Sequence, residues 1–510
     1  MWFPRDRGLP SRCISPGGSH LLGLLSWISL IAGCQALVLV DLAAAELRPN
    51  VVMIVTDDQG WADIGYNNPA RAYTPHLDAL AASGARLDQH YVMPQCTPTR
   101  VACLTGRLPS RFGGHALAAS NEPAFPLGTP TMATMLQQAG YKTFLCGKWH
   151  LGSTPEHGPL QFGFDHAYGS LTGAVGMYDH RYRKGPFEFT WHRDGNLIAG
   201  SENGRHATDL IADEAVRIIE NDHAAPFFLF LPFHAPHTPL DERGRFTGQP
   251  TQLDPARPNR WLHEDEIEWF NDPEGRIQSE ADPERRLLLA AVHHVDHAIG
   301  RVVDALERKA IRESTLILFS SDNGPQINWP GNAYPDDLKL TDFNQPLPLR
   351  GHKCDVWEGG ILVPGIISWP GRIPSRRINA PVHIVDWIPT VAEAVNVEPP
   401  TEQDGLSLWQ LLENDAPLPD RSFYWTWRSP INRRAIRRGD WKMVHYGKDP
   451  PRTAEDWKLF NLQADPREQH DRASQQPAKA AALHQAFLKQ ASRDAPSLRP
   501  PPAASTQSAR

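Results

Sequence analysis

Two segments of this chain end a run of apolar residues in oxygen donors. In NVVMIVTDDQG the run 51–55 leads to Asp57 and Asp58, and in STLILFSSDNG the run 316–319 leads to Asp322 and Asn323. Carboxylates plus an amide carbonyl suit a hard divalent cation, Ca²⁺ or Mg²⁺, better than zinc. Either pair alone is ordinary turn chemistry; two such ends in one cleft would favour a cation site. A third segment, PQCTPTRVACLTGR, carries Cys96 and Arg100. Pro98 suits a first helical position and Gly106 a helix stop, which predicts that Cys96 precedes a helix N-terminus facing an anion. Arg100, four residues on, falls on the same helix side and offers a planar fork to an oxyanion. A helix N-terminus favours a reactive thiolate, whereas an unpaired Cys is ordinarily a small buried hydrophobe. A thiolate suits a cluster of oxygen donors poorly, so an oxygen-based group would serve better at position 96.

Two more apolar runs end in polar residues: YKTFLCGKWHLG in Lys148 and His150, and PFFLFLPFHAPHTPL in His234 and His237. Apolar runs without alternation read as strands of a parallel sheet covered on both faces. Helical segments lie between them. TPHLDALAASG opens with Pro75 and closes at Gly84, and TMATMLQQAG has Thr131 as cap and Gly140 as stop. Leu288, Val292, Val295, Ile299, Val302 and Leu306 make one face of a long amphipathic helix. His293, His294 and His297 on that helix are expected to be solvated or to cap. Alternating strands and helices predict an α/β fold whose ligand site lies at the carboxyl ends of the strands. The four polar ends are therefore expected to converge on one cleft.

The remaining chain divides by composition. Residues 241–284 are rich in Pro, Asp, Glu and Arg and read as an inserted surface segment. SFYWTWR, RRAIRRGDWKMVHY and WKLFNL read as a small antiparallel sheet between about 415 and 490. The expected division is a catalytic domain over 46–410, an α+β subdomain over 411–490 and a disordered Pro/Ser/Ala-rich tail over 491–510.

Of 510 residues, 41% are hydrophobic and 21% charged, which fits a globular protein. The net charge of −7 gives no electrostatic reason to expect nucleic acid or an anionic membrane as partner. Arg5, Arg7 and Arg12 precede an uncharged stretch from Leu21 to Val40, and Ala43, Ala44 and Ala45 follow. This reads as an export signal over 1–45, placing the mature protein in a periplasmic, secreted or lumenal space. A retained anchor is one alternative, because the run is long enough to span. Lipidation is another, since LIAGC ending at Cys34 resembles a lipobox. Cys96, Cys103, Cys146 and Cys354 would remain after cleavage, too few for a disulfide scaffold. Cys103 and Cys146 are expected to be buried free thiols.

The block C-T-P-T-R followed by L-T-G-R resembles the signature of the formylglycine-dependent (type I) sulfatases of the alkaline phosphatase superfamily. IVTDDQGWADIGY, GYKTFLCGKWHLG, APHTPL, SSDNG, PLRGHKCDVWEGG and DWIPTVAEA resemble further blocks of that family, in family order, across nearly the whole mature chain. LRGHKCDVWEGG is most like the N-acetylgalactosamine-4-sulfatase (arylsulfatase B) branch. The resemblance implies a large mixed, mostly parallel sheet with helices on both faces, plus a small C-terminal antiparallel sheet. It implies that a formylglycine-generating maturation enzyme oxidises Cys96 to formylglycine (3-oxoalanine). Asp57, Asp58, Asp322 and Asn323 would hold Ca²⁺, or alternatively Mg²⁺, together with residue 96. A hydroxyl of the hydrated aldehyde would attack sulfur. Arg100, Lys148 and Lys353 would neutralise the anionic oxygens. His237, with Lys353, would assist the leaving alcohol, and His150 would take a proton from the second hydroxyl. The implied substrate is a sulfated carbohydrate. Gln95, Cys103 and Cys146 depart from the family pattern, and Gln95 adjoins the residue that the maturation enzyme must recognise.

Rival readings accompany these assignments. A phosphonate monoester or phosphodiester hydrolase would use the same nucleophile, and a non-catalytic carbohydrate-binding homologue would keep only the fold. His234 reads as a structural neighbour, and Trp149 and Trp357 as core or cleft wall. His115, Trp425 and Arg428 are further candidates for the pocket border.

Overall fold

The structure is a computed structural model. It describes residues 48–498 apart from 184, 241–274, 276, 278, 334–338 and 428–431. The export signal expected over 1–45 and most of the expected 241–284 insertion lie outside the described residues, as does Arg428. Among the described residues no helix is long and apolar enough to cross a membrane.

Four of the apolar runs form β1 (Asn50–Thr56), β2 (Lys142–Lys148), β3 (Phe227–Pro232) and β4 (Thr315–Ser321). They lie side by side in the order β4-β1-β3-β2, all parallel, at the centre of a ten-stranded sheet. The register pairs Val51 with Phe228 on one side and with Leu316 on the other. Outer strands make the sheet mixed: Gly365–Ser368 runs antiparallel to β4, and Trp191–Arg193 runs antiparallel to His166–Ser170.

The absence of alternation in these runs has a direct cause. Successive side chains of a strand point to opposite faces, and here both faces are covered. Val51, Met53, Val55, Phe228, Phe230, Leu316 and Leu318 join one core, with Val101 and Leu104 of helix α1 (Cys96–Thr105). Val52, Ile54, Leu229, Leu231, Ile317 and Phe319 join the other. That second core is completed by helices α2 (Ala207–Glu220) and α3 (Pro283–Arg308), through Leu210, Ile211, Val295, Ile299 and Val302. Truncating one such residue, as in Ile54→Ala, would cost about 2–5 kcal/mol.

α1 begins two residues earlier than the position of Pro98 predicts. Gln95 is extended (φ −156°) and Cys96 is the first helical residue. Pro98 then sits inside the first turn, where its missing N–H costs no intrahelical bond. Gly106 ends the helix in the left-handed region (φ 66°), its N–H donating to Ala102 O at 2.9 Å.

α3 also departs from expectation. His293 and His294 are buried rather than solvated. Nε2 of His294 lies 3.2 Å from Asp209 Oδ1, His293 stacks on Tyr73 at 5.2 Å, and His297 meets the ring edge of His76 at 5.8 Å. The helix is covered by α2 and the 73–82 segment, so polar side chains between its apolar positions find partners inside.

Strands β5 (Ser422–Trp427), β6 (Arg433–Arg438), β7 (Trp441–Tyr446) and β8 (Lys458–Asn461) form a separate four-stranded antiparallel sheet in sequential order. Helix α4 (Pro477–Ala491) packs on it, with Phe487 against Tyr424 and Trp457. The disorder expected from residue 491 does not begin there. Asp494 is buried, pairs with Arg111 and accepts from the Tyr424 hydroxyl at 2.7 Å, while Ala495 N–H donates to Ser110 O at 2.8 Å. Three anchors hold this piece of a Pro-rich tail that composition alone marks as disordered.

Candidate active site

Because β4, β1, β3 and β2 are parallel, their carboxyl ends share one edge of the sheet, and each delivers its polar residues there. Asp57 and Asp58 follow β1, Asp322 and Asn323 follow β4, His234 and His237 follow β3, and Lys148 and His150 end β2. The first turn of α1 supplies Cys96 and Arg100 from one face of the sheet. Ligand atoms of Asp57, Asp58, Cys96 and Asp322 lie within 4.8 Å of one another, and all four residues are buried.

Each carboxylate has a cationic neighbour. Lys148 Nζ pairs with Asp57 Oδ2. The Arg100 guanidinium lies 2.9 Å from Asp322 Oδ2 and 3.9 Å from Asp57 Oδ2, and also donates to Lys148 O at 2.9 Å. Lys353 Nζ donates to Asp58 Oδ2 at 2.8 Å and to Gln326 Oε1 at 3.3 Å. His237 Nε2 is 3.6 Å from the same Asp58 oxygen, and its Nδ1 faces Thr238 O. Asn323 donates to Asp58 Oδ1 at 2.7 Å and to Gly324 O at 2.8 Å. Its own Oδ1 is buried with no hydrogen-bond partner among the described residues. A buried acceptor without a donor is costly, and a cation beside the neighbouring carboxylates would satisfy it. The donor set therefore fits a hard divalent ion.

Burial acts on every group here, and charge decides the net direction. Burial alone would raise Asp57, but Lys148, His237 and Arg100 outweigh it and hold that carboxyl low. Asp322 goes the other way, raised by burial and by the Asp57 charge. Burial opposes the charge of Lys353, yet Asp58 pushes its pKa well up. Burial, then Lys148 and Arg100, holds His150 well below the usual histidine range, so its ring is neutral near pH 7. His237 is likewise lowered, by burial and then Lys353. The Cys96 thiol is pushed well up by burial and then by Asp57, whose Oδ1 lies 3.5 Å from Sγ. The helix N-terminus does not overcome these two effects, in keeping with the poor fit of a thiolate among oxygen donors.

Local backbone seats two of these residues. Asp58 and His150 are both left-handed, with φ of 68° and 59°; such strain in non-glycine residues gathers at functional sites. The His150 ring lies over Gly173, where a Cβ would come within 2.2 Å of Cε1 and Nε2. Thr97 Oγ1 donates to His150 O at 3.2 Å, tying it to the first turn of α1. His150 Nδ1 is buried without a hydrogen-bond partner among the described residues.

The secondary candidates scatter. His234 is buried beside Ser170 Oγ at 2.9 Å, a supporting position. Trp149 is buried and donates to His157 O, while Trp357 stacks on Tyr446 at 5.3 Å. Trp425 is fully buried, its Nε1–H donating to Val92 O at 2.8 Å, so it is core and not pocket border. His115 is exposed in a short turn. Cys103 and Cys146 are buried free thiols. The motifs missed Trp329, whose ring is edge-on to His237 at 6.1 Å and which, like Tyr182, packs against Ala174 and Ala333. Its only signal is an aromatic six residues after Asn323. Gln95, a departure from the family pattern, is an anchor: its Oε1 accepts from Ala119 N–H at 2.8 Å and from Trp427 Nε1–H at 2.9 Å.

A sequence model described as Sulfatase matches residues 49–397, and one described as N-sulphoglucosamine sulphohydrolase, C-terminal, matches 352–493. The chain belongs to the sulfatase family. Among curated relatives, arylsulfatase J of Mus musculus is 28% identical over 485 residues, covering 85% of this chain and 74% of that protein. N-acetylgalactosamine-6-sulfatase of Sus scrofa is 32% identical over 414 residues, covering 76% of this sulfatase and 69% of the relative. Among solved structures, Ps i-CgsB in complex with k-i-k-neocarrahexaose superposes with a TM-score of 0.71 at 28% identity, covering 89% of this chain and 95% of that one. This sulfatase is thus a hydrolase of sulfuric esters on an alkaline phosphatase-like fold.

Proposed function

We propose that this sulfatase removes sulfate from a sulfated carbohydrate, using residue 96 as nucleophile after its oxidation to formylglycine. The observation that carries this is the meeting of Asp57, Asp58, Cys96 and Asp322 within 4.8 Å, ringed by Arg100, Lys148 and Lys353. Hydrated formylglycine would supply an oxygen nucleophile where the buried thiol cannot. Asp57, Asp58, Asp322 and Asn323, with residue 96, would hold Ca²⁺, which supplies a fixed positive charge beside the nucleophile; Mg²⁺ is the alternative.

The rest is done by side chains. Three carboxylates and three cations balance in this cluster, so a divalent ion leaves it net positive, as an anionic ester requires. Arg100, Lys148 and Lys353 orient the sulfate oxygens. His237, beside Asp58 and Lys353, holds a hydrogen bond to the departing alcohol oxygen. His150, neutral and with an unpartnered nitrogen, accepts a proton from the second hydroxyl as sulfate leaves. The leaving sugar would lie toward Trp329 and Tyr182.

The names of the relatives support a carbohydrate ester, and the arylsulfatase B-like block adds galactosamine 4-sulfate to the panel worth testing. The proposal includes export through residues 1–45 and maturation by a formylglycine-generating enzyme. The test is turnover of matched aryl sulfate and aryl phosphodiester substrates by enzyme produced with that maturation enzyme, with mass spectrometry of the residue 96 peptide. Preference for the sulfate, with an aldehyde at 96, is expected. A preference for the diester, or an unmodified inactive protein, would sink the reading. Defined sulfated saccharides then identify the sugar and position.

A further inference from the structure

Two groups of the proposed mechanism, Lys353 and residue 96, are gripped from the same side by the small C-terminal sheet. Lys353 sits in a turn over 352–356. Its N–H donates to Pro325 O at 3.0 Å, and Cys354 N–H donates to Pro94 O at 2.7 Å, so the turn touches both the segment after β4 and the residues just before α1. Cys354 is left-handed at φ 72°, which bends the chain sharply enough to aim Lys353 at Asp58. A bend of this kind in a non-glycine residue persists only when its surroundings hold it.

What holds it comes from β6 and β7. Arg433 of β6 donates to Cys354 O and pairs with Asp355 Oδ1. The Tyr446 hydroxyl of β7 donates to the same Asp355 oxygen at 3.2 Å and accepts from Val356 N–H at 3.2 Å. The other oxygen, Asp355 Oδ2, accepts from His352 N–H at 3.2 Å, closing the turn on itself. The Arg433 guanidinium lies between the rings of Trp427 and Tyr446, 5.0 and 5.2 Å from their centroids. Trp427 of β5 reaches the other group: its Nε1–H donates to Gln95 Oε1, on the residue that immediately precedes Cys96.

We propose that Arg433 and Trp427 are positioning residues, through which the small sheet sets the distance between Lys353 and residue 96 across the sulfate pocket. Neither touches the reacting atoms. Arg433 fixes the Lys353 turn and Trp427 fixes the entry to α1, and the stack of Trp427, Arg433 and Tyr446 couples the two. One guanidinium nitrogen, Nη1, makes both contacts, so lysine can replace them in part, but it lacks the planar group that stacks with Trp427 and Tyr446. The kinetic part of this inference rests on the sulfatase reading above; the structural part does not.

The experiment uses the full matured chain with Arg433→Ala, Arg433→Lys and Trp427→Phe, and Arg438→Ala as a control on the exposed Asp420 pair. Read-outs are kcat and KM on an aryl sulfate, formylglycine occupancy at 96, thermal midpoint, and amide hydrogen exchange of the peptides covering 92–98 and 350–358. Arg433→Ala is expected to lower kcat about 10- to 100-fold, as misplacement from outside the reacting centre does. KM should stay within about twofold, the mark of an interaction used in the transition state. Exchange should quicken over 350–358 and not over β1. Arg433→Lys should recover part of kcat, Trp427→Phe should lose a few-fold, and Arg438→Ala should match wild type. Unchanged kcat in Arg433→Ala, a rise in KM alone, or faster exchange throughout the molecule would overturn the proposal. If wild type fails on sulfate esters, the sulfatase reading falls, and the exchange pattern over 350–358 still decides whether Arg433 holds the turn.

Discussion

Two of the buried charge clusters in this molecule differ in how their carboxylates are gathered. Beneath the small sheet, Lys442 reaches Glu358 at 2.8 Å and Glu468 at 2.9 Å. The Tyr91 hydroxyl donates to Glu358 at 2.6 Å, Glu358 N–H donates to Glu468 Oε2 at 2.7 Å, and Arg437 caps Tyr91. Glu468 is left-handed there (φ 54°), and its Oε1 has the Lys442 charge beside it but no hydrogen bond among the described residues. At the carboxyl edge of the large sheet, Asp57, Asp58, Asp322 and Cys96 bring ligand atoms within 4.8 Å of one another, Asn323 Oδ1 and His150 Nδ1 have no hydrogen-bond partner among the described residues, and Asp58 and His150 are left-handed. Buried ion pairs therefore do not by themselves mark a site. Nor does one orphan oxygen or one left-handed residue; several carboxylates converging where parallel strands end do.

That contrast can be broken at either cluster. The largest effect is expected at residue 96: Cys96→Ala should lower kcat/KM on the order of 10⁴-fold or more, as nucleophile removal does, with the thermal midpoint nearly unchanged. Equal activity in this variant would remove residue 96 from the chemistry. Lys442→Met should do the reverse. Breaking a buried pair leaves Glu358 uncompensated and costs about 3–5 kcal/mol, read by urea unfolding, while kcat per folded molecule stays within a few-fold. A selective loss of kcat there would mean that the second cluster is functional after all.

Next comes His237→Ala, expected to lower kcat about 10²-fold or more, and less on an activated aryl sulfate than on a sugar sulfate, whose alcohol needs more help to leave. Chelation sharpens the comparison differently. Ca²⁺ added back at about 100 times its dissociation constant should stabilise the folded state by about 2.7 kcal/mol, and Asp322→Asn should abolish most of that gain while Lys442→Met should not. The smallest effect is expected at the cleft wall. Trp329→Ala should raise KM for a saccharide substrate by about tenfold or less, the worth of one aromatic contact, leaving kcat intact.

Much of the site could be read from the chain because its parts are local. A run of β-branched residues followed by Asp57 and Asp58, and another followed by Asp322 and Asn323, state both the strand and its end. Convergence then follows from parallel pairing, which puts all carboxyl ends on one edge. Other features had no local signal. Gln95 looks like an oddity until Trp427, 332 residues away, is placed against it. Arg433 is one of several arginines in a β-strand until Asp355 meets it. His293 and His294 interrupt an amphipathic face and read as solvated, because nothing local says that α2 and the 73–82 segment cover them. Asp494 lies in a tail whose composition says disorder, and contacts with Arg111, Tyr424 and Ser110 order it.

The sequence by itself determined which residues end each strand, that both faces of the sheet are apolar, and the family to which the chain belongs, since all three reside in short contiguous motifs. Only the tertiary structure decided how far apart the groups stand, which polar atoms stay unpaired, that burial and Asp57 push the Cys96 thiol up, and that the small sheet grips the Lys353 turn. The physical reason is range. Propensity and hydrophobic pattern act over a few residues, whereas burial, pKa and positioning depend on neighbours that the fold brings in from hundreds of residues away.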